Sequence, residues 1–359
     1  DTWKSRGLGD VYKRQEQHED DGLLDVVLIS RARLARNISG EPFVNRANRE
    51  EQIRIRDGIA SALRGLPELG LHWFDPETAP SAEGQVLLER HLVSPKFLEP
   101  GPHRLAGYRE DARLSVMINE EDHLRIQGYG LAGGLSLAWA NAKGCERLLD
   151  EHLNFAFNEQ LGYLTACPTN VGTGIRLSLM LHLPGISLVG GMDRMQHAAN
   201  DLNLEMRGTS GEGSEAIGHL HQISNRRTLG MDEEDLLHFL EDDFLSRVVR
   251  EERRARDTLL NTRREFLDDR VQRALAMLRH ARLLGEREAL DLLSELRLGV
   301  AVGLLTGVPL ETASQLMQRV RSGHLTRATG CTEEETLRIQ RADLVRRELG
   351  GGTPQSEST

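Results

Sequence analysis

Residues 167–183, CPTNVGTGIRLSLMLHL, join a loop of small polar residues to a segment of strict alternation. Successive side chains of a strand point to opposite faces, so the alternation predicts a strand with one apolar face. The apolar face would carry Leu177, Leu179, Leu181 and Leu183, and the other face Arg176, Ser178, Met180 and His182. The loop is too polar and too rich in glycine for a core, so we expect it to approach another group closely.

Two further strand signals lie upstream. The segments LSVMI and HLRIQ flank residues 119–122 (NEED), which predicts a hairpin or another tight connection. Residues 23–37 begin with an apolar run and end in alternating arginines. Arg31 and Arg33 are two positions apart, so an extended backbone would aim both side chains to the same side.

The sequence changes in character after Met231. From there to about residue 350 it is charged and helix-periodic, which predicts a helical domain that packs on itself or on a second copy. Residues 1–22 carry no usable pattern, and we expect an unstructured or extraneous leader. Residues 351–359 are predicted to form a disordered tail from their composition.

Composition narrows the classes of function. The 359 residues carry a formal net charge of −10, although Lys and Arg total 45 and are nearly all arginine. This acidic balance argues against non-specific binding of nucleic acid. No apolar run reaches the roughly 18 residues of a membrane-spanning helix, and no secretory signal is apparent. Cys145, Cys167 and Cys331 form no CxxC pair, which fits neither a disulfide framework nor a zinc cluster and favours a reducing cytosol.

One glycine motif suggests a dinucleotide site. Residues 128–133 match GxGxxG and precede a plausible helix, with Glu146 and Asp150 near the position of a ribose-binding acid. The strand before the motif is short and amphipathic, unlike the buried apolar strand of a parallel sheet. A plain glycine loop is therefore the favoured interpretation. No GxxxxGK[ST] loop or protein-kinase motif set is present.

Arginine offers another way to bind phosphate. Each of five arginines lies beside a turn or a glycine-rich loop: Arg31, Arg33, Arg125, Arg176 and Arg207. Guanidinium groups bind phosphate oxygens in bidentate fashion and keep their charge, so a cluster of them could neutralise a triphosphate. Any one of them, taken alone, is more often half of a surface ion pair.

Four other residues are candidates for chemistry. Glu121 would share a face with Arg125 if the strand register extends into the NEED turn, and Glu212 lies in a glycine-rich loop. Alone, each would be a solvated carboxylate. Cys167 is either a buried small hydrophobe or a candidate thiolate before the glycine loop. His91 alone would be an ordinary histidine at the end of a helix.

The motifs ISRARLAR, HLVSP, SVMINEEDHLRIQ, CPTNVGTGIR, RGTSGEGSEA and QISNRRTLG occur here in the order found in ATP:guanido phosphotransferases, the phosphagen kinases. Residues 24–255 resemble that family, and the pairing of NEEDHxR with CPTNxGTGxR is highly specific. Beyond residue 255 the chain resembles bacterial protein-arginine kinases of the McsB type, notably at residues 267–273 and 293–299.

The resemblance implies an α+β fold: a catalytic domain over residues 23–255, with an antiparallel sheet wrapped by helices, then a helical dimerisation domain over residues 256–350. It implies transfer of the γ-phosphoryl group of ATP, with Mg²⁺ carried by the nucleotide, to a guanidinium nitrogen. Glu121 and Glu212 would clamp the guanidinium, Glu121 as its base, with Cys167 beside it. Nucleotide-binding residues would be Ser30, Arg31, Arg33, His91, Arg125, Arg176, Ser178, Met180, Arg207, Gly208 and Gly211.

The resemblance also bears on partners. Phosphagen kinases of small substrates carry a helical N-terminal domain of about a hundred residues, whereas only about twenty-five residues precede the first arginine motif here, so we expect arginine side chains of proteins as acceptors. A cytoplasmic homodimer is implied, with an activator protein and protease-mediated quality control as further partners, and no nucleic acid or membrane. A kinase of free guanidino compounds and a non-catalytic adaptor stay open as alternatives. An RDxxRA motif that binds phosphoarginine is expected near the C-terminus, but residues 337–342 (LRIQRA) keep only Arg341 and Ala342 of it.

Overall fold

The computed structural model describes residues 22–101, 103–131, 134–208 and 216–350. Its centre is an eight-stranded antiparallel sheet with the strand order β2-β3-β4-β5-β1-β8-β10-β9, and β6 and β7 form a separate small hairpin. The strands are β1 (Val27–Arg36), β2 (Leu71–Phe74), β3 (Leu105–Arg109), β4 (Leu114–Ile118), β5 (Leu124–Leu131), β6 (Phe157–Asn158), β7 (Gly162–Tyr163), β8 (Ile175–His182), β9 (Leu204–Gly208) and β10 (Leu220–Asn225).

Helices surround the sheet and make up the C-terminal part of the chain. They are α1 (Arg49–Arg64), α2 (Ser81–Glu89), α3 (Pro95–Leu98), α4 (Leu135–Asp150), α5 (Pro184–Leu188), α6 (Met192–Asp201), α7 (Glu233–His238), α8 (Ser246–Thr262), α9 (Arg264–His280), α10 (Glu286–Ala301), α11 (Leu310–Arg319), α12 (Ser322–Thr329) and α13 (Glu334–Glu348). A π-helical segment, Phe239–Leu245, joins α7 to α8, and short 3₁₀ turns lie at Pro67–Leu69, Pro168–Asn170 and Ile217–His219. In the described parts of the chain, no helix has both the length and the apolar character needed to span a bilayer.

The alternation predicted for residues 175–183 is confirmed in β8. Leu177, Leu179 and Leu181 are fully buried in the main apolar cluster, together with Leu34 of β1 and Ile126 of β5. The intervening side chains of β8 point to the opposite face. Burial of one row of leucines therefore fixes which side chains the other face presents, because a shift of one residue would exchange the two faces.

The predicted hairpin around the NEED turn is also confirmed. β4 pairs with β5 in an antiparallel register that places Ile118 opposite Leu124 and Met117 opposite Arg125. This hairpin brings Arg125 into the centre of the sheet, beside β1.

The first two glycines of the GxGxxG motif lie in a strand and not in the glycine loop that we expected. Gly128 and Gly130 lie within β5, and a side chain on either would collide with the backbone of α4 or of Gly134, which precedes it. Glu146 forms an ion pair with the buried Arg36. The motif thus serves close packing of a helix on a strand.

The C-terminal helices form an apolar cluster of their own, which extends to the sheet. Met180 of β8 and Leu220 of β10 belong to this cluster together with Leu290, Leu316 and Met317. The domain boundary expected at residues 255/256 falls within the continuous α8, so the division into a catalytic and a dimerisation domain stays a prediction.

Candidate active site

The sheet register gathers the predicted arginines on one face. Arg31 lies opposite Ser178, and Arg33 lies opposite Arg176. Arg125 pairs with Ala35 on the other side of β1. Directly opposed residues of antiparallel strands point to the same side, so these arginines share the face that is opposite the leucines. We call it the arginine face.

Arg207 joins the same face from the edge of the sheet. It lies opposite Gln222 of β10, which in turn lies opposite Met180 of β8. Arg176 and Arg207 both form ion pairs with Glu205, which holds them together across β9 and β10. Arg176 also donates to Ser224 Oγ at 3.0 Å.

The centre of the arginine face is electrostatically strained. Burial, followed by the charges of Arg125, Arg31 and Arg176, lowers the pKa of Arg33 well below its ordinary value. The pKa of Arg31 is lowered by burial and also by neighbouring arginines. Within the described residues, no carboxylate forms an ion pair with Arg31 or Arg33, and Arg31 Nε donates to Ser178 Oγ at 3.2 Å. A bound anion would relieve this repulsion.

A small pocket lies at one end of the arginine face. It is lined by Ile29, Arg31, His91, Ser178, Met180 and Gln222, so four predicted nucleotide-binding residues meet there. His91 follows α2 in a left-handed conformation with φ of 60°, and its carbonyl accepts a hydrogen bond from Tyr129 Oη. Burial lowers the pKa of His91 to about 3, so its imidazole is neutral at pH 7. A flat neutral ring and two apolar side chains beside cations suit an aromatic base linked to phosphates.

Ser30 lies on the wrong face for this pocket. It pairs with Leu179 and Gly130, and its side chain is fully buried on the apolar side of the sheet. The structure therefore separates the Ser30 side chain from the arginines, because it is one residue away from Arg31 in a strand. Any contribution of Ser30 to the site would have to come from its backbone.

The NEED turn places carboxylates at the other end of the arginine face. Glu120 is nearly buried, accepts a hydrogen bond from Ser94 Oγ at 2.8 Å and lies 2.8 Å from Arg125. The Glu121 carboxylate is 3.4 Å from Arg125, and 32% of its side chain is exposed. Glu120 is thus fixed by the protein, whereas Glu121 is the carboxylate that an incoming group can reach.

Asp122 brings the Cys167 loop to this turn. Its Oδ1 accepts hydrogen bonds from Asn37 Nδ2 and from the backbone N–H of Ala166, both at 2.7 Å. Asn37 Oδ1 accepts in turn from the N–H of His123 at 2.9 Å. Glu121 directly precedes Asp122, and Cys167 directly follows Ala166. The hydrogen bond from Ala166 to Asp122 therefore places Glu121 and Cys167 near each other at this end of the arginine face. Cys167 is partly exposed, and its Sγ lies 2.9 Å from Thr169 Oγ1.

The glycines of the CPTNVGTGIR loop approach protein rather than open space. Gly172 has φ of +114°, and a side chain there would collide with the Thr228 carbonyl and meet Leu229 Cα at 3.0 Å. Gly174 has φ of +65°, and a side chain would meet Arg36 Nη1 at 2.6 Å. The expected close approach is therefore present, but its partners are the segment after β10 and the end of β1.

Three of the predicted site residues lie at the end of the described range 134–208 or outside the described residues. Glu212 and Gly211 are outside the described residues. Gly208 ends β9 opposite His221, next to Arg207 on the strand that leads to them. In the described part of the chain, no cluster of three or more His, Cys, Asp or Glu side chains could hold a metal ion.

Sequence reasoning missed four contributors to this face. Glu120 and Glu205 are the ion-pair partners of the arginines, and Ile29 and Gln222 line the pocket. Ile29 and Glu205 lie two positions from Arg31 and Arg207, so the alternation that placed the arginines could have identified them. Gln222 and Glu120 carry no comparable local signal.

Comparisons with known proteins bear on this geometry. A family model described as ATP:guanido phosphotransferase, C-terminal catalytic domain, matches residues 44–255, and one described as protein-arginine kinase McsB C-terminal domain matches residues 264–359. The chain is 40% identical over 328 residues to the protein-arginine kinase of Halothermothrix orenii, which covers 90% of this chain and 93% of that protein. It is 40% identical over 332 residues to the protein-arginine kinase of Pelotomaculum thermopropionicum, which covers 90% and 92% of the two chains.

The fold has solved counterparts. A crystal structure of lombricine kinase superposes with a TM-score of 0.55 at 26% identity, over 64% of this chain and 67% of that one. Together with the antiparallel sheet and the helical C-terminal part, this similarity confirms the predicted α+β fold class.

Proposed function

The chain belongs to the ATP:guanido phosphotransferase family, and we propose that it transfers the γ-phosphoryl group of ATP to arginine side chains of proteins. Family membership makes it an ATP-dependent phosphotransferase, as the sequence motifs predicted. The observation that carries the proposal is the arginine face, with a base pocket at one end and an accessible carboxylate at the other. The residue roles below are part of the proposal.

The donor end binds the nucleotide. Arg31, Arg33, Arg125, Arg176 and Arg207 hold the phosphates, and the adenine enters the pocket beside His91. Mg²⁺ arrives with ATP and supplies charge neutralisation of the phosphates. Fixed cations that need no reorganisation stabilise the charge on the transferring group, which is the main electrostatic contribution expected in such a site.

The acceptor end orients a guanidinium. Glu121 and Glu212 bind it on two edges and align one nitrogen with the γ-phosphorus. The nitrogen lone pair forms the P–N bond while the bond from phosphorus to the bridging oxygen breaks and ADP leaves. Glu121 takes the proton that the nitrogen releases. Since a carboxylate is a weak base for a guanidinium proton, alignment supplies most of the acceleration, with effective molarities of about 10⁵ M or more.

Two features support a protein as the acceptor. Relatives that match nine-tenths of this chain are named protein-arginine kinases, and the C-terminal helices match the domain model of that group. Glu121 is also partly exposed at the edge of the site, where an arginine on another chain can reach it. By the same analogy we propose a cytoplasmic homodimer formed through its C-terminal helical domain, with an activator and a protease system as partners in quality control.

The experiment offers the protein Mg-ATP with either an unfolded arginine-containing protein or free arginine. Products are analysed by mass spectrometry at neutral pH, because the P–N bond of phosphoarginine is labile in acid. We expect phosphorylated arginine in the protein. Phosphorylation of free arginine alone would refute the protein acceptor, and binding of ATP without any transfer would leave a non-catalytic adaptor.

A pair of variants tests the acceptor clamp. Glu121→Gln and Glu212→Gln should each lower turnover about 10²- to 10⁴-fold while nucleotide binding is kept. Glu68→Gln, at an exposed carboxylate on a 3₁₀ turn, is the matched control and should behave as wild type. Unchanged turnover in either clamp variant would remove that residue from the mechanism.

A further inference from the structure

The C-terminal helices pack behind two residues that line the nucleotide pocket. Met180, which lines the pocket, is a member of the apolar cluster of those helices, and Ile29 packs against the same cluster. The floor under the base is therefore continuous with Leu316 and Met317 of α11. A shift of these helices would change the shape of the pocket directly.

A buried carboxylate fastens the same helices to the loop that carries His91. Glu89, the last residue of α2, accepts hydrogen bonds from the N–H groups of Gly323 at 2.7 Å and His324 at 3.0 Å. It also lies 2.7 Å from His324 Nδ1. A side chain at Gly323 would meet the Glu89 carboxyl carbon at 2.9 Å, so glycine is needed for this approach. These hydrogen bonds lower the pKa of Glu89 despite its burial, which keeps it ionised.

The start of α12 is held from its other side by Arg341. This fully buried arginine donates to the carbonyls of Val320 at 2.6 Å and Leu284 at 2.8 Å, and to Ser322 Oγ at 3.0 Å. Ser322 also donates to Glu286 at 2.6 Å. Residues 320–324 are thus fixed between two elements, which sets the backbone from which the Arg321 side chain extends.

Arg321 itself has no assigned role. It is partly exposed, and in the described part of the chain it forms no ion pair or side-chain hydrogen bond. It is two residues before Gly323, the first residue of α12 that Glu89 binds, and Glu89 is two residues before His91 in the pocket. Its charge contributes to the low pKa of His91, which is consistent with this proximity. A cation that has no side-chain partner among the described residues, on a segment hydrogen-bonded to the end of α2 near His91, suits an anionic or hydroxyl-rich part of the ligand.

We propose that Arg321 is a nucleotide-binding residue supplied by the C-terminal helices, and that Glu89, through Gly323 and His324, positions both Arg321 and His91. The proposal rests on the proposed function, since it assigns the base pocket to the ATP that the enzyme uses. It also means that the C-terminal helices complete the catalytic site, so a change in their packing alters nucleotide affinity.

Arg321→Gln is the direct test, because a partly exposed side chain can be changed without loss of the fold. The dissociation constant of ADP, measured by titration calorimetry, and the KM for ATP should both rise about three- to tenfold, with kcat within about twofold. Arg327→Gln, at an exposed arginine of α12, the helix that Arg321 directly precedes, is the matched control and should leave both unchanged.

Glu89→Gln tests the positioning role. It replaces a carboxylate that accepts four hydrogen bonds, three of them from Gly323 and His324, by an amide that can accept fewer. The KM for ATP should therefore rise while the KM for the protein acceptor stays the same. Glu83→Gln is its control, since Glu83 lies on the same helix and accepts from Tyr108 Oη instead. Glu89→Asp should recover part of the affinity.

The outcomes separate the two proposals. If wild-type protein binds no ADP and transfers no phosphoryl group, the proposed function fails. If wild-type protein binds and transfers but Arg321→Gln binds ADP as tightly as wild type, only this inference is overturned. A rise in the ADP dissociation constant for Arg321→Gln and not for Arg327→Gln supports it, whether or not Glu89→Gln folds.

Discussion

The two faces of the central sheet are built from the same strands and differ in almost every other respect. One face consists of buried apolar side chains, such as Leu34, Leu177 and Leu179, which pack in the main core. The other face carries arginines at alternate positions, including Arg33 and Arg176 opposite each other. The first face stabilises the fold, because removal of apolar area from water is favourable.

The second face destabilises the fold when no ligand is bound. The like charges of Arg31, Arg33 and Arg176, which are partly buried, repel one another, and burial together with this repulsion lowers the pKa of Arg33 well below its ordinary value. Such a face persists because the strand register that buries the leucines also fixes the arginines. Selection for function at some expense of stability is a common property of active sites. The variants below separate the two contributions.

The largest effect is expected on turnover, from the arginine face. Arg33→Met keeps a long side chain and removes the charge at the centre of the cluster. Loss of one fixed cation from the transferring group should lower kcat/KM about a thousandfold, close to 4 kcal/mol. Steady-state kinetics measures this, and a loss below tenfold would show that Arg33 does not contact the phosphates.

The next largest effect is on stability, from the apolar face. Leu179→Ala leaves a cavity in the core and should lower the free energy of unfolding by about 3 kcal/mol. Turnover per folded molecule should stay near wild type, because Leu179 points away from the arginines. Urea unfolding followed by kinetics on the folded fraction checks both parts, and a selective loss of turnover would contradict the separation of the faces.

A smaller effect is expected in the glycine loop that precedes β8. Gly172→Ala places a side chain against the Thr228 carbonyl in a left-handed conformation and should cost about 2 kcal/mol of stability. Gly190→Ala is the control, since Gly190 also has positive φ but open space around it, and should cost about 1 kcal/mol. Equal losses in the two variants would exclude the contact with Thr228 as the reason for glycine.

The effect that is smallest per pH unit and per group is the pH dependence of stability at two histidines on or beside the arginine face. Burial lowers the pKa of His182 well below its ordinary value and that of His91 to about 3. Below about pH 6.5 the unfolded chain therefore binds protons that the folded chain does not. The free energy of unfolding should fall by up to about 1.4 kcal/mol per pH unit for each such group, down to its folded pKa.

Urea unfolding at pH 7 and pH 5 measures this slope. His182→Gln should make the slope shallower, because one group that gains a proton only on unfolding has been removed. The exposed His238, whose pKa is raised by Asp242, acts in the opposite direction and should not obscure the change. Stability that stays constant between the two pH values would contradict the burial of these histidines as neutral groups.

How far the sequence predicted this arrangement depends on the range of the interactions. The two faces of β8 and the shared direction of Arg31 and Arg33 followed from alternation, since a strand sets side-chain direction locally. Alternation and motif similarity disagree at Ser30, which motif similarity assigns to the site although its side chain lies one position out of phase with Arg31 and Arg33. Alternation alone would have excluded it.

The remaining features depend on contacts between distant parts of the chain. The hydrogen bonds from Gly323 and His324 to Glu89 join residues more than 230 positions apart. No local pattern marks Glu89 as their acceptor, since a glutamate at the end of a helix is ordinary. The glycines of β5 were misinterpreted for a similar reason, because only the position of α4 shows what they accommodate.

The thermal stability of wild type and Arg33→Met, each with and without Mg-ADP, tests the central claim most directly. Without nucleotide, we expect Arg33→Met to be more stable by about 1 kcal/mol, because a repelled charge has been removed. Mg-ADP at about one hundred times its dissociation constant should stabilise wild type by about 2.7 kcal/mol and reverse the order of the two proteins. The claim that the arginine face is built for nucleotide at the expense of stability would be contradicted if Arg33→Met were less stable than wild type without nucleotide and gained as much stability from Mg-ADP as wild type does.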